Sequence, residues 1–108
     1  MSDDRLAPSI EAGALLRRAS AVGGFGAVLQ KGDADRGTIL VILLERNGPP
    51  CTLQRLLGSD GRYAWSVRHF ADSAALEQHV VQARSRDPDM WVLELDIPSR
   101  ERFIAEMT

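Results

Sequence analysis

The sequence predicts an α+β fold: a single domain with the element order α-β-β-β-β-α-β-(α), built on a mainly antiparallel sheet with helices packed on one face. Three observations predict it. Two segments carry apolar residues at the 3, 4, 7 spacing of a helix face, one near each end of the chain. Between them lie four short apolar or alternating runs separated by glycine, proline and aspartate turns. A chain of 108 residues has room for one hydrophobic core, and that core needs no disulfide or metal.

Residues 1–8, MSDDRLAP, read as a flexible tail, leaving 9–108 as the domain. Ser9 is placed to cap a helix to about Ser20, whose apolar face is Ala12, Leu15, Leu16, Ala19 and Val22. Gly23 and Gly24 end it, as glycine does where a chain turns left-handed. FGAVLQ (25–30) reads as a strand and KGDADRG (31–37) as a turn. TILVILLE (38–45) is apolar throughout and rich in β-branched residues, which predicts a strand buried on both faces near the middle of a sheet. RNGPP (46–50) is a turn, CTLQRLL (51–57) a third strand, GSDGR another turn. YAWSVRHF (63–70) is a fourth strand with Tyr63, Trp65, Val67 and His69 on one face.

Asp72 or Ser73 caps a second helix to about Arg84, with Leu76, Val80 and Ala83 on its buried side. It ends before Pro88, because proline disfavours helix in the residue preceding it. Residues 90–97 form a fifth strand with Trp91, Leu93, Leu95 and Ile97 on one face and Val92, Glu94 and Asp96 on the other. Ser99 then caps a short terminal helix that offers Phe103, Ile104 and Met107 for packing. Four consecutive strands joined by short turns are expected to pair as an antiparallel meander. The second helix then serves as a crossover that sets the fifth strand beside an earlier one, in a parallel sense.

Composition narrows the function classes. The apolar fraction of 44% and charged fraction of 26% are those of a globular domain. Thirteen basic against fifteen acidic side chains give a formal charge of −2, where nucleic-acid binders carry a clear basic excess. Nucleic acid is therefore not an expected partner, although Arg84 and Arg86 with Arg17 and Arg18 offer a basic stripe. The single cysteine, Cys51, fits a reducing cytoplasm. The acidic, polar start argues against a secretory signal, and no apolar run reaches the length that spans a bilayer. No membrane association and no cofactor are expected.

LLRRASAVGGFGAVLQKGDADRGTILV, then DPDMWVLELD and RFI much later, resemble a small alphaproteobacterial family called domain of unknown function 1491. The shared pattern is an early L-R-R-A, a small-residue step into the first strand, a G-D turn, and D-P-D-x-W before the last strand. The resemblance spans roughly residues 9 to 104, with 46–70 matched by element order alone. It implies a single compact α+β domain of bacterial origin; because the family's function is unknown, it implies no activity and offers no catalytic residues to carry over.

The residues themselves give no catalytic constellation. His69 and His79 with Cys51 lack any zinc-ligand spacing, and the serines lack a nucleophile elbow. Cys51 follows two prolines at a strand start, where no helix N-terminus activates it, and reads as an inert thiol. Asp87, Asp89, Glu94 and Asp96 form an acidic group. Glu94 and Asp96 point the same way from a strand, about 7 Å apart, as oxygen ligands for a divalent cation require. The simpler reading makes Asp87 and Asp89 turn residues that bond nearby backbone N–H groups, with Glu94 and Asp96 on a solvated face. No metal site is therefore assigned.

Trp65 and Trp91, with Asp87 and Asp89, are the expected structural or interaction anchors, a carboxylate at 87 or 89 accepting the indole N–H of Trp91. Arg17, Arg18, Lys31 and Arg36 are the candidate anion-binding group, converging near Gly23, Gly24, Gly32 and Asp33 if the first helix packs beside a first hairpin. The glycines match neither a Walker loop nor a dinucleotide fingerprint, and they follow a helix where phosphate loops precede one. The sequence thus favours a non-enzymatic protein-interaction or assembly module, with self-association as a homodimer or an unidentified protein as partner. The alternative is binding or processing of an anionic, phosphate-bearing small molecule through Arg17, Arg18 and Lys31.

Overall fold

In the computed structural model, residues 7–46 and 48–107 are described. Most of the expected tail (1–6), one residue of the 46–50 turn and the last residue of the domain lie outside the described residues. The elements are α1 (Pro8–Ala21), β1 (Phe25–Gln30), β2 (Ile39–Leu44), β3 (Cys51–Leu57), β4 (Tyr63–His69), α2 (Ser73–Arg86), β5 (Trp91–Asp96) and α3 (Arg100–Met107).

Helix α1 begins one residue before Ser9. Pro8 occupies its first turn, where a missing N–H costs nothing, and Ala7 is the N-cap without a side-chain bond. Ser9 instead gives its Oγ to the carbonyl of Ala34, 3.2 Å away. At the other end Gly24 N–H returns to Ala19 and Gly23 N–H to Ser20, a Schellman closure. Gly23 sits at φ +86°, the left-handed conformation that glycine tolerates. Helix α2 is capped by Asp72, whose carboxylate accepts from Ala75 N–H at 2.8 Å.

The five strands form one sheet in the order β1-β5-β2-β3-β4. Three pairings are antiparallel and one, β2 with β5, is parallel. Two expectations are corrected. The meander holds for β2, β3 and β4 only. Strand β5 inserts between β1 and β2, because the segment after β1 is no tight hairpin but a loop that crosses the start of β5. There Asp33 N–H bonds Asp89 carbonyl at 2.9 Å and Trp91 N–H bonds Thr38 carbonyl at 2.8 Å.

The second correction concerns the helices. The first face of the sheet gathers Ile39, Val41, Leu43, Cys51, Leu53, Trp91, Leu93 and Leu95 under Ala12, Leu15 and Ala19 of α1 and Phe103 of α3. On the opposite face, Leu76 of α2 packs with Ile42, Val92 and Phe70. Strand β2 is the cause. It is buried on both faces except at Leu44, so both faces require a cover. The connection from β4 to β5, which run in the same sense, supplies the second one.

Candidate functional site

The stretch DPDMWVLELD sets the architecture of the site. Trp91 is 5% exposed, and its indole N–H donates to the backbone carbonyl of Asp33 at 2.8 Å. The acceptor is therefore a main-chain oxygen in the 31–38 loop, where a carboxylate of Asp87 or Asp89 was expected. The Asp87 carboxylate is engaged elsewhere, accepting from Thr38 Oγ at 2.8 Å and from Asp89 N–H at 3.2 Å. Asp89 contributes its carbonyl, to Asp33 N–H, while Arg84 donates to Met90 carbonyl at 2.5 Å.

The fit between the two loops leaves no room for side chains. A Cβ on Gly32 would lie 2.1 Å from Asp89 O, and one on Gly37 would lie 2.2 Å from the same atom. Asp33 folds its own loop by accepting Asp35 N–H at 2.9 Å and Arg36 N–H at 2.8 Å. Those two bonds hold its carboxyl below the usual range. The glycines of the K-G-D turn thus serve close backbone packing. The same holds for Gly24, whose Cβ would meet Asp96 O at 2.1 Å.

This locked loop forms one wall of a cleft of about 380 Å³. The start of α1 forms a second wall and the β3–β4 hairpin a third. The β3–β4 register sets Arg55 opposite Trp65 and Leu57 opposite Tyr63 on the first face. Arg55 forks onto Glu11 of α1, at 2.8 Å and 2.5 Å to the two carboxylate oxygens. Its guanidinium carbon lies 4.6 Å from the centre of the Trp65 ring, a stacked geometry that suits arginine. Trp65 is half-buried, Arg36 opens from the loop wall, and Tyr63, 52% exposed, forms the hairpin lip, with its cross-strand partner Leu57, 60% exposed, just outside the cleft lining.

The N-terminus of α1 is not an anion seat within this cleft. Pro8 has no N–H, Ser9 N–H goes to Ala34, and Ile10 and Glu11 N–H groups go to Ala7. The four expected basic residues are divided between the ends of α1. Arg36 lies with the loop that bonds Ser9, and Lys31 follows β1 on that side. Arg18 lies in the last turn, 5.2 Å from the ring centre of Phe103. Ser9 and Arg18 are nine positions apart, about 13.5 Å along the helix. Arg17 is exposed beside Arg18. The absence of a β1–β2 hairpin removes the geometry that would gather them. The basic stripe with Arg84 and Arg86 is also divided, since α2 and α1 cover opposite faces.

Glu94 and Asp96 lie on the α2 side of β5, half-buried and exposed. Among the described residues, no group of three or more His, Cys, Asp and Glu side chains is placed to hold a metal ion. Cys51 is fully buried, and burial pushes its thiol pKa up, with a weaker downward pull from Arg100. Arg55, Glu11 and Tyr63 were missed as site residues. Their signal was present: the alternation of CTLQRLL and YAWSVRHF about a five-residue turn sets Arg55 across from Trp65.

The chain matches the DUF1491 family, described as a protein of unknown function, over residues 6–105. The chain belongs to the DUF1491 family. Solved structures agree with the assignment. A crystal structure of a DUF1491 family protein from Caulobacter crescentus CB15 is 34% identical with a TM-score of 0.75, covering 85% of this chain and 88% of the other. An NMR structure of a DUF1491 family protein from the same organism is 32% identical with a TM-score of 0.74, covering 87% of each. A solution structure of an A. tumefaciens protein is 25% identical with a TM-score of 0.79, covering 93% and 92%. No curated protein matches the chain. In this DUF1491 chain, no helix among the described residues is long and apolar enough to cross a membrane.

Proposed function

We propose that this DUF1491 chain is a non-enzymatic protein-interaction module that receives its partner at the cleft between α1, the 33–38 loop and the β3–β4 hairpin. One observation carries the reading. Trp65 and Arg55 form a fixed floor, tied to α1 through Glu11, beside Tyr63 at the cleft lip and its exposed cross-strand partner Leu57. Trp, Tyr and Arg in a pre-formed pocket are the residues that dominate interface energetics. Holding Arg55 in place before binding also limits the ordering cost of association. We place the module in the cytoplasm, which a single buried, unpaired thiol favours.

The test is a photo-crosslinking amino acid at Leu57, in cells that make the protein, with Val81 on α2 as an equally exposed control position. A discrete adduct from Leu57 alone is expected. No adduct at Leu57, or the same adducts at both positions, rejects the reading.

A second reading is an anionic, phosphate-bearing ligand in the same cleft, favoured by the two arginines that line it, Arg36 and Arg55. Thermal unfolding against inorganic phosphate, nucleotides and phosphosugars tests it. A ligand at a hundred times its dissociation constant adds about 2.7 kcal/mol. A midpoint rise that survives Arg36→Ala removes this reading.

A further inference from the structure

Strand β1 ends the sheet, and among the described residues it pairs with β5 alone. An edge strand turns alternate N–H and C=O groups outward, and proteins blunt such edges with charge, proline, a covering element or a bulge. The opposite edge, β4, contains Arg68 and His69 and follows Arg62. Strand β1, FGAVLQ, has no charge and no proline; its only interruption is the register shift between Val28 and Gln30. Three of its six residues are large, apolar and exposed: Phe25 at 70%, Val28 at 41% and Leu29 at 49%.

We infer that β1 is a homodimer interface, on which the β1 strand of a second copy of this chain adds antiparallel about a two-fold axis at Ala27 to make one ten-stranded sheet. The inference is independent of the cleft. Charge selects the occupant. Two-fold pairing sets a strand against its own sequence, so charges of one sign on a short strand are brought close together across the seam, and one on the axis meets its like; β1 has none. Glu94, the β5 neighbour of Ala27, would lie three strand spacings from its counterpart, about 14 Å. That exceeds the screening length of about 8 Å at physiological salt.

Face alternation selects the register. Residues opposite one another in an antiparallel pair point to the same face, so a two-fold axis must pass through a residue position and not between two. Centred on Ala27, the pairing sets Phe25 against Leu29 of the second copy, twice, and Val28 against Gly26. Centred on Gly26, it sets Phe25 against Ala27 and leaves Leu29 unopposed. Only the first register covers all three exposed apolar side chains, with the small Ala27 at the axis. The register shift between Val28 and Gln30 ends the regular strand there and limits the paired segment to about five residues, and because the same edge is used on both copies the contact closes as a dimer.

Sedimentation equilibrium of the whole chain is the test. The wild-type chain is expected to dimerise, and Phe25→Lys/Leu29→Lys, which opposes two lysine pairs, to raise the dissociation constant at least about tenfold. Mixing that variant with Phe25→Glu/Leu29→Glu is expected to restore the dimer. Circular dichroism checks that each variant folds. If the double variant does not fold, Ala27→Cys decides: mild oxidation links it across the axis, while Val81→Cys on α2 stays unlinked. A wild-type monomer up to the solubility limit overturns the inference. So does a dimer that the lysine pairs leave unchanged, or an Ala27→Cys chain that links no better than Val81→Cys.

Discussion

The indole N–H of Trp91 bonds the main-chain carbonyl of Asp33, 58 residues earlier in the sequence, at 2.8 Å. Together with the main-chain bonds from Asp33 N–H to Asp89 and from Trp91 N–H to Thr38, it closes the loop after β1 over the start of β5, and with it the wall of the cleft. Trp91→Phe keeps a buried aromatic and deletes the donor. We expect a loss of about 1 kcal/mol for the unpaired carbonyl and about as much again for the missing ring area. Urea unfolding measures it. An unchanged midpoint would contradict both contributions; a loss of only about half would mean that the Asp33 carbonyl finds another donor.

Gly32 and Gly61 separate crowding from backbone strain. Gly32→Ala places a methyl 2.1 Å from Asp89 O and 2.7 Å from Trp91 Cδ1. The loops must part, at about 2–3 kcal/mol. Gly61 has φ +80° but nothing within 4 Å of a Cβ, so Gly61→Ala costs only the left-handed backbone, about 1 kcal/mol. Comparing the two variants by thermal unfolding checks the order, and equal losses would contradict the account.

These two loops also show how far the sequence could be read. Each element was legible from periodicity and punctuation, because helix and strand faces are written at 3.6 and 2 residues. The position of β5 was not, since strand order depends on contacts between residues far apart in the chain. KGDADRG looked like a hairpin turn; only its contact with DPDMW makes it a crossing loop. The cover on both faces was implied by TILVILLE, whose apolar run cannot leave either face to water. In the site, Trp65 and Arg36 were visible as residue types. Their meeting with Arg55 and Glu11 needed the β3–β4 register and the packing of α1 on the sheet.

Stability should fall in two separate pH windows. His79 packs 5.1 Å from the Phe70 ring, and burial first, then Arg68 and Arg86, lower its pKa below 6.5. The unfolded chain therefore takes up the proton first. Stability supported by neutral His79 is full above 6.5 and is lost as pH falls from there through the lowered folded value. Asp33 follows the same direction further down: its contribution is present above the ordinary 3.8 and is lost as pH falls below that value. His79→Gln should flatten the upper window and Asp33→Asn the lower one, each leaving the other intact. Urea midpoints across pH read both, and a wild-type slope that survives His79→Gln in the upper window rejects the first assignment.

Arg100 guards the buried thiol. Its backbone N–H bonds Glu45 Oε1 at 2.8 Å, and its guanidinium bonds the Pro49 carbonyl. The side chain thereby ties α3 to the loop that precedes Cys51, itself fully buried. Two things keep that thiol inert: the desolvation that disfavours thiolate and the absence of a path for a reagent. In the native chain, labelling by an aromatic disulfide reagent should therefore follow opening of the structure. Arg100→Ala should release the loop and raise the labelling rate at least about tenfold, by more than its effect on global stability explains, since local opening needs less free energy than unfolding. Labelling rates beside urea unfolding of the same variant separate the two. If both change in proportion, Cys51 is reached only by global unfolding, and Arg100 stabilises the whole domain instead of its own loop.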